Sequence, residues 1–373
     1  MKYYCQQVKN SNNKMLKIEN KIIEPINLNI DYELCNYKYM TLIKSLYIKF
    51  LSKLIDNEIV LLNVFALSIM NDIKVHILFK CKKLNLTKII SSFNIKIKDI
   101  SILIKLEEAV NKLIDRYITE NIKLVTVPII LIQKLDGKKY KLFVVKATSK
   151  YKDIAKEFII SEELLKSIIL KFYSINRHFD SIVFLNLLYS SFLRYYSLNL
   201  GNYSATSKNI KNIIKSEYPT FIELFGNPFN SDNLYCSQFY TQERLFGCID
   251  NYTNIIPYTG VYYLHPPNNE LIIKNMIKYI NKIFTNILHT DLIFIVLLSH
   301  NDYVKYFKDQ KFVYTISNVK LNDLEFENYS LNFLNKNTFK IKQQFNLVFI
   351  TSSYSTKLNK NKIEILQQKL NKL

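Results

Sequence analysis

The stretch that decides the fold runs from Leu224 to Asn269, LFGNPFNSDNLYCSQFYTQERLFGCIDNYTNIIPYTGVYYLHPPNN. It gathers three of the five glycines, four of the seven prolines and two of the five cysteines, within a chain otherwise dominated by Lys, Asn, Ile and Leu. Glycine and proline punctuate loops, since one tolerates positive φ and the other lacks an N–H. The end of the stretch, Tyr262-Tyr263-Leu264-His265-Pro266-Pro267-Asn268, reads as a strand halted by a Pro-Pro step. Glu270–Phe284 follows with Leu271, Ile272, Met276, Ile280 and Ile283 at helical spacing. Leu292–Leu298, LIFIVLL, is a continuous apolar run suited to a strand covered on both faces. Strand, loop, helix and buried strand in that order make a βαβ unit, hence an α/β sheet. Phe345–Ser352 is a candidate further strand, and the tail from Thr356 reads as a basic helix.

Working outward toward the N-terminus, Tyr39–Leu54 has apolar residues at helical spacing, and Ile59–Met70 continues as a buried helix or strand. Residues 72–105 alternate, as in Val75-His76-Ile77-Leu78-Phe79 and Ile95-Lys96-Ile97-Lys98, and read as strands. Glu107–Asn121 reads as an amphipathic helix. Asp136-Gly137 between two β-rich runs is a hairpin signal. Ser161 with Glu162 and Glu163 opens a helix through Leu164–Tyr173, and Asp180–Tyr196 is a second. Three units are expected: an α+β, mostly helical extension over 1–130, a hairpin-and-helix unit over 131–200, and the α/β unit over 201–373.

Hydrophobic content of 49% and 14% aromatics exclude a disordered chain. The net charge of +20 favours an anionic partner, nucleic acid first, although a bias toward lysine codons gives the same balance without purpose. Arginine is confined to Arg116, Arg177, Arg194 and Arg244, which makes these the more informative basic residues. Cys5, Cys35, Cys81, Cys236 and Cys248 form no CxxC pair, so neither a zinc knuckle, another metal site nor a disulfide framework is expected, and a reducing intracellular compartment fits. The start, MKYYCQQVKNSNNK, lacks the apolar run of a signal peptide, and no window reaches the roughly 18 apolar residues of a membrane span.

The Pro-Pro step has a chemical precedent. Adenine N6-methyltransferases carry (Asp/Asn)-Pro-Pro-(aromatic) at such a strand end. The amine lone pair of adenine is delocalised into the ring, so a side-chain acceptor and a backbone carbonyl must draw on its two N–H groups. The aromatic stacks on the base, worth roughly 1–3 kcal/mol. Around that step the chain resembles the phosphorylated-CTD-interacting factor 1 family, methyltransferases of the cap-adjacent 2′-O-methyladenosine of mRNA. The resemblance runs from Arg194-Tyr195 to Leu298. It is carried by Leu224-Phe225-Gly226, Asn227-Pro228-Phe229-Asn230, Tyr235-Cys236-Ser237-Gln238-Phe239, Phe246-Gly247, the approach Pro257, Gly260 and Tyr262, and the apolar strand Phe294-Ile295-Val296-Leu297-Leu298.

The resemblance implies a Rossmann-like class I methyltransferase domain over 201–373, S-adenosylmethionine as cofactor, and the capped 5′ end of mRNA as partner. It places the amine at His265 and the Pro266 carbonyl, in a loop completed by Pro267 and Asn268. Asn230, Phe246 and Gly247 stand where the cofactor would be held. Arg194 and Arg244 are candidates for cap or phosphate, with a structural salt bridge as the equal alternative. Tyr262 or Tyr263 would replace the stacking ring. A nuclear location follows from the resemblance, with the cytoplasm as the other compartment.

Two departures stand out. His265-Pro266-Pro267-Asn268 replaces Asn-Pro-Pro-Phe, changing acceptor and stacker together. Neutral imidazole has one acceptor nitrogen and imidazolium has none. The chain also has no tryptophan, so the WW domain with which that family binds the polymerase tail is not expected. Ser299-His300-Asn301-Asp302 replaces a further family element; His289, Asp291 and His300 around the buried strand read mainly as loop residues. Two readings stay open: an RNA adenosine N6-methyltransferase, and a catalytically silent relative that binds RNA or scaffolds a partner.

Overall fold

Leu292–Leu298 is buried at every position, and the largest sheet is built around it. The computed structural model describes residues 16–18, 30–55, 61–62, 64–66, 90, 99–121, 129–146, 151–176, 180–198, 205–206, 208–231, 234–286, 291–299, 301–310, 314–322, 324–329, 336–340, 344–352 and 357–372. In chain order the elements are β1 (Leu16–Ile18), α1 (Ile30–Leu51), α2 (Ile100–Asn121), β2 (Ile129–Leu135), β3 (Lys139–Lys146), β4 (Phe158–Ser161), α3 (Glu162–Ile175) and α4 (Ser181–Ser197). Next come β5 (Ala205–Thr206), α5 (Lys208–Glu217), β6 (Ile222–Glu223), α6 (Tyr240–Glu243), β7 (Ile255–Pro257), β8 (Gly260–Leu264), α7 (Glu270–Asn286) and β9 (Leu292–Leu298). The last are β10 (Tyr314–Asn322), β11 (Glu325–Tyr329), β12 (Lys336–Lys340), β13 (Gln344–Ser352) and α8 (Lys357–Leu370).

The chain is a mixture of helix and sheet, as expected. In the helical part α1 packs against α2 and α4, and Ile30, Leu34, Met40, Leu103, Val110, Leu187 and Phe192 share one apolar core. Ser161 caps α3 by accepting from the Leu164 N–H at 3.2 Å, and Asp180 caps α4 by accepting from Ile182 and Val183. The Asp136-Gly137 turn joins β2 to β3 with positive φ at Gly137 and Lys138, matching the right-handed strand twist; β4 adds a third antiparallel strand. One expectation needs correcting. The alternation read as strand across 72–105 gives way at its end to α2, because residues 100–121 carry a helix-spaced apolar stripe of Leu103, Leu106, Val110, Ile114 and Tyr117. The candidate strands at 75–79 and 95–98, with His289, His300 and Arg177, lie outside the described residues.

The main sheet has the order β10-β13-β9-β8-β6. Strands β6, β8 and β9 are parallel, while β13 is antiparallel to both of its neighbours. Beyond β6, Tyr235 makes a single parallel bridge to Glu223, and Cys248 a further one to Tyr235, so the chain adds two minimal strands at that edge. Residue alternation divides β9 between two cores. Leu292, Phe294, Val296 and Leu298 pack with α7, through Ile273, Met276, Ile277 and Ile280. Ile293, Ile295 and Leu297 pack with α5 and α8, through Ile210, Ile214, Ile363 and Leu366. Helices therefore cover both faces, which is why the central strand reads as an unbroken apolar run. Burying a seven-residue strand of this kind contributes roughly 1.5–3 kcal/mol per side chain before entropy.

Candidate functional site

The parallel strands β6 and β8 end side by side, and the Gly-, Pro- and Asn-rich loops follow them there. Glu223 and Tyr263 are register partners, and the Leu224 N–H donates to the Tyr263 carbonyl at 2.9 Å. In open α/β sheets the crevice beyond the carboxyl ends of such strands is where ligands bind.

The loop after β6 is rigid for identifiable reasons. Asn227 Oδ1 accepts from the Phe229 and Asn230 N–H groups, both at 2.9 Å, while its own N–H donates to Asn230 Oδ1 and Ser231 Oγ at 3.1 Å. Lys171 of α3 donates to the Pro228 carbonyl at 2.6 Å, and Lys211 of α5 to the Asn230 carbonyl at 2.8 Å. Phe229 stacks on Phe192 of α4, centroids 4.7 Å apart at 4°, and meets Tyr195 edge-on. A Cβ on Gly226 would collide with the Ser231 hydroxyl and the Tyr235 Cβ. The helical part thus grips this loop of the sheet.

At the end of β8, Pro266 is buried, His265 and Pro267 are half-buried and Asn268 is exposed. Asn269 turns the chain into α7, accepting from the Leu271 and Ile272 N–H groups at 3.1 and 3.2 Å, an N-cap that also docks the helix dipole against the loop. Burial, with the positive charge of Lys211 second, lowers the His265 pKa to about 4. His265 is therefore neutral at physiological pH and retains an acceptor nitrogen.

The other residues singled out in the sequence separate. Tyr262 and Tyr263 are 0% and 2% exposed and point to opposite faces of the sheet, Tyr262 into the α7 core and Tyr263 into the α5–α8 core. Asn230 spends its side chain on the loop itself, and its carbonyl on Lys211. Phe246 is 1% exposed against Phe172 and Phe184, and Gly247 closes the turn behind it at φ 102°, with its carbonyl accepting from the Tyr235 N–H. Arg194 is buried: Nε and Nη2 donate to Glu33 at 2.9 and 2.6 Å, and Nη1 to Gln242 at 2.5 Å. That is the salt-bridge alternative weighed for it. Arg244 is half-buried beside Phe246.

Two buried clusters escaped the sequence. Lys211, 3% exposed, pairs with Glu223 at 2.8 Å, and Glu223 Oε1 makes no hydrogen bond among the described residues. The readable signal was a lysine on the apolar stripe of α5, between Ile210 and Ile214. Glu243, wholly buried, faces the hydroxyls of Ser237, Tyr195 and Tyr235, and burial, partly offset by those hydroxyls, raises its pKa to about 8. No sequence pattern marks it, because its partners come from two segments, Tyr195 on α4 and Tyr235 with Ser237. Among the described residues no His/Cys/Asp/Glu group suits a metal ion, and no helix is long and apolar enough to cross a membrane.

The pattern of the family described as "Phosphorylated CTD interacting factor 1 WW domain" matches residues 168–328. The matched span begins inside α3 and ends inside β11, taking in the loop after β6, the Pro-Pro step and β9, and it contains no tryptophan. It supports the family that the sequence resembles. No curated protein matches the chain.

Proposed function

We propose that this protein is an S-adenosylmethionine-dependent RNA methyltransferase of the cap-adjacent adenosine N6 type, built on a Rossmann-like class I domain over residues 201–373. One observation carries the reading. The family match covers the three parallel strands β6, β8 and β9 and the Pro-Pro step at the carboxyl end of β8, and β13, beyond the match, completes the sheet as a reversed strand between β9 and β10.

The cofactor, when bound, supplies a methyl group on a sulfonium that carries an ammonium and ribose hydroxyls. The acceptor that fits those donors is Glu223 Oε1, buried at the end of β6 with no hydrogen bond among the described residues. Gly226 and the loop after it shape that end, with Asn230, Phe246 and Gly247 holding the loop from behind. His265, neutral and half-buried, accepts from one N–H of the target amine, and the Pro266 carbonyl takes the other. Drawing on both N–H groups localises the nitrogen lone pair and stabilises the charge that develops as it attacks. The +20 net charge favours RNA as the partner, in a nuclear or cytoplasmic compartment.

A second reading, a silent RNA-binding relative, is favoured by one finding. Tyr262 and Tyr263 lie inside the sheet, so neither can stack on a base in place of the missing aromatic. The test is tritium transfer from S-adenosylmethionine to capped RNA beginning with 2′-O-methyladenosine, with His265→Ala as control. Transfer that the control abolishes supports the enzyme. Cofactor binding by calorimetry without transfer supports the silent relative, and neither binding nor transfer sinks the methyltransferase reading.

A further inference from the structure

A buried lysine sits where the two loops meet. Lys211 shares the buried stripe of α5 with Ile210 and Ile214, and its ammonium donates to Glu223 Oε2 and to the Asn230 carbonyl, each at 2.8 Å. One side chain thereby ties a helix, strand β6 and the loop after it. A buried ion pair gives little net stability over an aliphatic side chain of similar volume, so core packing alone does not call for a lysine here.

The geometry extends to β8. Glu223 is the register partner of Tyr263, and Tyr263 belongs to the core on the α5 face. His265 follows directly on β8, two residues beyond Tyr263. Burial first, and the positive charge of Lys211 second, lower the His265 pKa. Other charges near the loop are engaged: Glu223 with Lys211, and Glu270 at the start of α7 with Lys274 at 2.6 Å and the Tyr306 hydroxyl at 3.0 Å.

We propose that Lys211 is a positioning residue of the site: it locks the loop after β6 and presents the His265 imidazole to a substrate amine as a hydrogen-bond acceptor. This rests on the reading of His265 as the amine acceptor. An ammonium beside the ring disfavours imidazolium, and only the neutral ring can accept. Lysine suits the place because its compact charge reaches the carboxylate and the carbonyl together.

The experiment follows the His265 ring by NMR through a pH titration of the full chain, with His265→Gln assigning the signal. Lys211→Arg keeps the charge and holds the midpoint near that of the wild type. Lys211→Met raises it by up to about one pH unit, since burial is the larger cause of the low value, and the charge-neutral pair Lys211→Met/Glu223→Gln raises it in the same direction. The double variant guards against misfolding from an uncompensated Glu223. The acid limb of methyl transfer moves upward with the midpoint. A midpoint unchanged in a folded double variant overturns the proposal. The titration needs no substrate, so absent methyl transfer would fail the assay of the preceding section alone.

Discussion

Arg194 offers the sharpest test of how the two parts are joined. Its guanidinium, 3% exposed, holds the Glu33 carboxylate, 1% exposed, through two hydrogen bonds and donates a third to Gln242 on α6. Arg194→Met removes the charge but keeps much of the volume. Glu33 is then left buried without its partner, which costs about 3–5 kcal/mol. Gln242 also loses its donor, worth about 1 kcal/mol or more. At roughly 2 °C per kcal/mol for a chain of this size, the melting temperature falls by about 8–12 °C in differential scanning calorimetry. Arg194→Met/Glu33→Met removes both charges and recovers most of the loss, since an apolar pair of similar volume is near-neutral. RNA affinity of the folded variants stays within about twofold of wild type. A melting temperature within ~2 °C of wild type, together with a tenfold loss of RNA affinity, would refute the argument and return Arg194 to a phosphate-binding role.

Three further outcomes are expected. Gly226→Ala, whose Cβ meets Ser231 and Tyr235, destabilises by about 1–3 kcal/mol in urea unfolding, and a neutral effect would show that the loop after β6 can shift. His265→Asn/Asn268→Phe restores an amide acceptor and a stacking ring; methyl transfer rises by about five- to a hundredfold, and no gain would remove the stacker from the argument. Stability depends on pH from two directions. The folded His265 resists protonation down to about pH 4 while the unfolded chain takes its proton near 6.5, so this residue removes stability as pH falls between those values, by roughly 3 kcal/mol at the lower end. Glu243 behaves oppositely: the unfolded carboxyl ionises near 4.5 and the folded one near 8, so it removes stability as pH rises through that window. His265→Gln flattens the acidic branch in urea titrations between pH 4.5 and 6.5, and an unchanged slope there would contradict the burial argument.

How far the fold could be read in advance depended on locality. The βαβ unit around the Pro-Pro step announced itself because β8, α7 and β9 are adjacent in sequence, and each carries the apolar period of its own geometry. The Ser161 cap and the Asp136-Gly137 turn were readable for the same reason, being satisfied within a few residues. Reading 100–105 as strand failed because short alternating and helix-spaced runs overlap where Ile and Lys dominate, and only the length of α2 separates them.

The composition and the order of motifs in 224–298 determined that the chain builds an α/β sheet with loops at the strand ends, and which family it resembles. The tertiary structure decided which of those residues are buried in the cores and which stay at the loops. Arg194 and Glu33 are 161 residues apart, and their pairing exists only once α1 lies against α4. The strand pattern of Tyr262 and Tyr263 is the same whether a ring faces a base or a core, and covering both faces of the sheet with helices settles it for the core. Lys211 looked like one more lysine among 51 basic residues, until burial against Glu223 and the Asn230 carbonyl gave its charge a fixed direction. Propensity and period are properties of neighbours along the chain. Desolvation and charge pairing belong to neighbours in space, which the sequence lists only after folding has brought them together.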